Sequence, residues 1–191
     1  MKPIIHHLEY INGEYREYKE DLLKRLLDHV FHLTTKQAFE QIKFDGFVFH
    51  NQGKRFNLNT SSENSSGRKR ACVCLFDLRN KNNEDIEFTL ERYNFYGPEW
   101  FCGDDLAYLI LDSSCYDKIV SNEEVKKICI ATNESEHYIP KTECWYPGNL
   151  PLACIREAFI VKIFQDRPNH DPFLHSLNQI AFKNRNKAKS Q

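Results

Sequence analysis

Hydrophobic and polar positions along this chain change period several times, and each change marks an element. Residues 14–30 (EYREYKEDLLKRLLDHV) carry Tyr15, Tyr18, Leu22, Leu23, Leu26, Leu27 and Val30 at three- and four-residue steps. That spacing predicts an amphipathic helix laid on a core, with Arg16, Glu17, Lys24 and Arg25 on its wet side. The period then shortens, and Phe31 and Leu33 flank His32 with strand alternation. Thr34 followed by Gln37 fits a capping box at the start of a short helix, whose buried face is Ala38, Phe39 and Ile42. Gly46 suits the left-handed cap at its end. Phe47-Val48-Phe49 reads as the next strand.

Residues 51–70 (NQGKRFNLNTSSENSSGRKR) form a polar stretch with a local charge of +4, read either as a solvated loop or as a holder of phosphate. Beyond it, ACVCLFD (71–77) alternates as a buried strand, with Ala71, Val73 and Leu75 on one face and Cys72, Cys74 and Phe76 on the other. Segment 84–105 is acidic and carries several aromatic residues. Further strands are expected at Ala107–Leu111, Lys127–Ala131, Glu143–Tyr146 and Ala158–Phe164. Helices early and strands late predict an α+β fold with N-terminal helices and a bent, mainly antiparallel sheet. One domain over residues 1–182 is expected, followed by a basic tail, 183–191.

Composition narrows the function. The 191 residues are 41% hydrophobic and 28% charged, which is ordinary for a globular chain, and the formal charge is −1. No global field therefore draws the protein to nucleic acid or anionic lipid, and any such attraction must be local. No apolar run approaches the roughly 18–20 residues of a spanning helix, so no membrane partner is expected. Glu9 and Glu14 interrupt any secretory signal at the start. Seven cysteines, an odd number with no Cys-x-x-Cys pair, argue against a structural metal site and for reduced, buried thiols in a cytoplasmic protein. There is no Gly-x-Gly-x-x-Gly or phosphate-loop motif, which excludes those nucleotide-binding chemistries.

Two stretches carry candidate chemistry. One is Phe31-His32-Leu33-Thr34, a strand end directly before a helix; the other runs from Glu143 through Trp145, Pro147 and Pro151 to Ile155. Singly, a strand histidine is usually a hydrogen-bonded core residue and a strand-edge glutamate is usually solvated. As an ordered pair they resemble the ADP-ribosyltransferase superfamily. FHLTTKQAFEQIKFDGF is similar to its first motif (His-x-Thr, a short helix, then Gly and an apolar residue). ECWYPGNLPLACI is similar to its third, and most to that of toxins that modify nucleic-acid bases.

The resemblance implies a split, mainly antiparallel β-sandwich holding NAD⁺ as substrate. It implies that His32 bonds a ribose hydroxyl, that the Leu33 backbone pairs with the nicotinamide carboxamide, and that Thr34 orients His32. Glu143 would grip the nicotinamide-ribose 2′-hydroxyl and stabilise the cationic sugar as the glycosidic bond breaks. The family's middle motif carries Tyr or Ser-Thr-Ser, where this chain has Cys74 and Phe76. Phe76 or Tyr96 would supply the ring stacked on nicotinamide, and Arg55, with Arg68, Lys69 and Arg70, would meet the pyrophosphate or an acidic acceptor. The expected activity is transfer of ADP-ribose to a macromolecular acceptor, protein or nucleic acid. The alternatives are an NAD glycohydrolase, a non-catalytic nucleotide- or nucleic-acid-binding module, and a thiol hydrolase pairing Cys74 with His32.

Overall fold

The computed structural model describes residues 2–11, 15–56, 64–92, 105–134 and 137–164. Strands β1 (Ile4–Ile11), β2 (Val30–Thr35), β4 (Cys72–Asp77), β5 (Leu106–Leu111), β6 (Glu143–Pro147) and β8 (Ile155–Phe164) form one sheet in the order β1-β8-β5-β2-β4-β6. Strands β3 (Phe47–Val48) and β7 (Leu150–Pro151) pair as a separate antiparallel ribbon. Within the large sheet only β1 and β8 run parallel, among the described residues; the other neighbours are antiparallel. The mixed α+β class with a mainly antiparallel sheet is therefore as the sequence predicts.

Strand β5 explains where the core lies. All six of its residues are buried: Ala107, Leu109 and Leu111 face one side, Leu106, Tyr108 and Ile110 the other. A continuous apolar run of this length needs cover on both faces. Helix α1 (Tyr15–Leu26) supplies Leu22 and Leu26 to the Tyr108 side. Helix α2 (Lys36–Asp45) supplies Phe39 and Ile42 to the Leu109 side. At the β4–β6 end, α3 (Ser66–Lys69) packs on β4, and α5 (Asn122–Ala131) adds Val125 and Cys129 against Cys72 and Trp145.

Several predicted boundaries are corrected. Val30 continues the helical stripe in sequence yet starts β2, because the helix ends at Leu26 and Asp28 takes a left-handed turn (φ 61°). The cap of α2 is Thr35, not Thr34: its hydroxyl accepts from the Ala38 N–H at 3.1 Å. Gly46 closes that helix at φ 79°, as its position predicts. Lys127–Ala131 is the end of α5 and not a strand. A complete capping box, Ser121 with Glu124, starts a helix upstream, which leaves Val125 and Cys129 buried and Ile130 exposed.

The polar stretch 51–70 ends in helix α3, and the acidic segment 84–105 opens with helix α4 (Asn83–Arg92). Strand β1 has no counterpart in the prediction. Its His6-His7 pair and Glu9 break the apolar alternation, and it is held mainly as an edge strand along β8.

Cysteine usage also differs. Cys72, Cys74, Cys129 and Cys144 are free thiols, but Cys115 and Cys154 form a disulfide across a sequence separation of 39. Cys102 and the tail 183–191 lie outside the described residues. No helix among the described residues is long and apolar enough to cross a membrane. Replacing Thr35 by Ala should cost about 1 kcal/mol in urea unfolding, and Thr34 much less. The reverse order would return the helix cap to Thr34.

Candidate functional site

The ladder between β2 and β4 is short. It pairs Val30 with Asp77 and Phe31 with Phe76, and there it stops. Beyond that rung β2 stays with β5 as far as Thr35–Leu106, while β4 stays with β6 as far as Cys72–Pro147. The Lys36 N–H prolongs the β2–β5 attachment onto the Asp105 carbonyl at 2.8 Å, and the Lys36 ammonium meets the Asp105 carboxylate at 3.2 Å. The sheet therefore forks, with residues 32–35 on one prong and 72–75 on the other.

Strand parity decides what faces the fork. The Leu78 N–H donates to the His29 carbonyl at 3.0 Å, so the backbone groups of alternate residues, Phe31 and Leu33 on β2 and Phe76 and Cys74 on β4, point across the gap. The next rung would join Leu33 to Cys74, and it is absent. The imidazole of His32 fills the acceptor instead: its Nδ1 lies 2.9 Å from the Cys74 carbonyl oxygen. A carbonyl only accepts, so Nδ1 carries the proton and Nε2 keeps its lone pair. Burial holds His32 below the ordinary histidine range, partly offset by the Cys74 bond, so the ring is neutral at pH 7. The Leu33 N–H and C=O face this missing rung and have no ladder partner on β4.

Glu143 begins β6, opposite Phe76 in register and one strand beyond β4. It is 5% exposed. Its Oε1 accepts from the Trp145 indole at 2.7 Å and its Oε2 from the Ile139 N–H at 2.6 Å. Burial raises its pKa, while these two donors and the Cys74 thiol pull it down. The backbone is clamped as well, since the Asn122 amide donates to the Glu143 carbonyl at 2.7 Å.

Cys74 links the two candidates, taking His32 on its carbonyl and approaching Glu143 with its thiol. They do not share a sheet face. Alternation along β6 sets Glu143 beside Trp145, on the α3–α5 side of the sheet, whereas His32 lies at the fork, two strand spacings or roughly 10 Å away.

A cover over Cys74 and Trp145, beside Glu143, is the part that sequence reading missed. Ser65 caps α3 and its hydroxyl lies 3.1 Å from the Cys74 sulfur. Gly67 packs so closely that an added Cβ would sit 2.6 Å from that sulfur and 2.8 Å from the Trp145 Nε1. Only glycine fits. Helix α3 is latched from outside by Glu134, which takes Arg70 and Lys69 in ion pairs. The Arg70 guanidinium holds the Glu134 carboxyl down to about 2. The clue in the sequence was Ser65 ahead of Gly67 and a cationic run, which reads equally well as loop.

The other predicted residues fall into place unevenly. Thr34 is half-buried and paired with Ala107, and Leu33 turns its side chain into the α1-side core. Phe76 stacks on Phe31 with centroids 5.3 Å apart, at the root of the fork. Arg55 lies with Asp45, Phe49 and Phe56 on the β3 side. Tyr96 lies outside the described residues. The Cys74 thiol is pushed well up, by burial first and then by the Glu143 charge, and His32 meets its carbonyl rather than its sulfur. His32 therefore does not pair with the Cys74 thiol.

No protein-family model matches this chain, and no curated protein or solved structure matches it either.

Gly67→Ala should destabilise the fold by about 1–3 kcal/mol through overpacking and shift Trp145 fluorescence to the red as α3 lifts. An unshifted spectrum with unchanged stability would mean that α3 does not seat on Trp145. The Glu134 pairing has a definite pH sign. A carboxyl held low in the folded state adds stability above its ordinary pKa of 4.5, lost as pH falls through about 2. The stability gap between wild type and Glu134→Gln should therefore be flat above pH 5 and close between pH 5 and 2 in acid titrations.

Proposed function

We propose that the fork binds NAD⁺ and that the protein transfers its ADP-ribose to a macromolecular acceptor. The observation that carries this reading is the unpaired rung at Leu33 beside a neutral His32. A primary carboxamide presents an N–H beside a C=O, the complement of a backbone N–H and C=O without a ladder partner, so nicotinamide adds to β2 as a strand edge would. The Nε2 lone pair of His32 suits a hydroxyl donor, which a ribose beside that carboxamide supplies. The split sheet and the order of the two motifs support the same reading.

Cleavage breaks the bond between the nicotinamide nitrogen and the ribose C1′. The electron pair leaves with nicotinamide, which becomes neutral, so no general acid is needed. Positive charge develops on the sugar, and the acceptor's nucleophile attacks C1′ and gives up its proton. A preset carboxylate in a dry site favours that charge strongly, because its hydrogen bonds are already made and little reorganisation is required. Glu143 lies on the sheet face opposite His32, so it fits this part only where the Ser65–Gly67 turn yields and the ribose reaches that face through the fork. One observation favours a second reading, in which the fork holds the nucleotide without cleaving it: both Glu143 oxygens already serve internal donors.

The two readings separate in one experiment. Wild type incubated with NAD⁺ should release nicotinamide, and Glu143→Gln should lower the rate by about 100-fold or more while calorimetry still detects NAD⁺ binding. The amide also presents a donor to a buried donor, so the variant should lose about 1–3 kcal/mol of stability. Equal release by both proteins sinks the catalytic assignment. Binding without release from wild type leaves the second reading.

A further inference from the structure

The chain after α2 builds a surface that the fork does not use. Phe47, Phe49 and Phe56 stand in a row, with ring centroids 6.3 and 5.8 Å apart. Arg55 lays its guanidinium over two of them, 4.4 Å from the Phe49 centroid and 5.3 Å from that of Phe56. Phe44, three residues before Phe47, is 86% exposed, and Phe47 and Phe56 are exposed too. Single exposed apolar residues are ordinary on a protein surface, but rings gathered around a cation are not.

We propose that this aromatic–arginine row is a binding site for single-stranded nucleic acid, with bases stacked on the phenyl rings and the guanidinium plane. Every base has a π-face, so such a platform takes unpaired strands regardless of sequence and excludes duplex, whose bases are already stacked. The charge around it is complementary to phosphates. The loop is tied to α3 by the Gln52 amide on the Lys69 carbonyl at 2.7 Å and by the Arg68 guanidinium on the Gln52 carbonyl at 3.5 Å. Lys54, Arg55 and Arg68 are thereby carried on one loop-to-α3 connection, with Asp45 as the acid paired to Arg55. The Arg55–Asp45 pair is loose at 3.7 Å, and its guanidinium side is exposed and open to phosphate.

The site also adjoins the third motif. The His50 N–H meets the Asn149 side chain at 3.3 Å, and Val48 pairs with Leu150. A bound strand would thus lie next to the β6–β7 corner. Its use as the acceptor of ADP-ribose rests on the transfer reading; the binding itself does not.

The test is fluorescence anisotropy with labelled single-stranded DNA, single-stranded RNA and duplex DNA, in the absence of NAD⁺. Wild type should bind single strands in preference to duplex, with affinity falling steeply as salt rises. A Phe47→Ala/Phe56→Ala double variant should lose tenfold or more in affinity with its melting temperature kept, and Ile130→Ala, on the exposed side of α5, should bind as wild type. No binding at low salt, equal binding of duplex, or an unaffected double variant overturns the proposal. Nicotinamide release is read separately, so retained strand binding with no release sinks the transfer reading and spares this one.

Discussion

The parting of β2 from β4 after Phe31 governs everything else at the candidate site. A strand that leaves its ladder exposes backbone groups, and a buried unpaired carbonyl is costly. His32 removes that cost for Cys74 with one imidazole N–H at 2.9 Å, and so makes an open fork tolerable inside a packed sheet. The same bond settles the tautomer, and burial settles the charge. What is left over is a lone pair on Nε2 and a Leu33 backbone without a ladder partner on β4. β2 can afford to part because β5 holds it from Phe31 to Thr35, and β5 is itself anchored by apolar cover on both faces.

Glu143 is governed by a contest between desolvation and hydrogen bonding. Burial alone favours the neutral acid; the Trp145 indole and the Ile139 N–H favour the anion. The donors arrive from its own neighbourhood in sequence, since the chain turns through Lys141 at φ 73° just before the strand. Gly67 then packs on the Trp145 indole that donates to the carboxyl. The result is an oriented acid kept from water, a costly arrangement for a purely structural group.

A formal charge of −1 conceals a divided surface. Of the cationic run beside α3, Arg70 and Lys69 are spent on Glu134, where they hold the cover in place. Arg55 instead lies flat on phenyl rings near the corner where β3 meets β7. One basic stretch in the sequence thus serves two purposes, stabilising a cover and presenting a platform.

Where local physics dominates, the sequence determined the outcome by itself. The cap at Gly46, the buried face of α2, the alternation of β4 and the apolar run of β5 all follow from residue type and spacing. His32 and Glu143 were legible as candidates because each is a polar side chain beside apolar strand residues, where it is conspicuous. Tertiary structure decided the rest, through contacts between residues far apart in the chain. Thr35 displaced Thr34 as the cap because the β2–β5 ladder runs one residue further. Ser121 and Glu124 made a helix of a segment that alternates like a strand. Cys154 met Cys115 across a separation of 39 residues. The fork is the clearest case: no spacing announces that a ladder will stop, because a missing rung depends on what three strands do together.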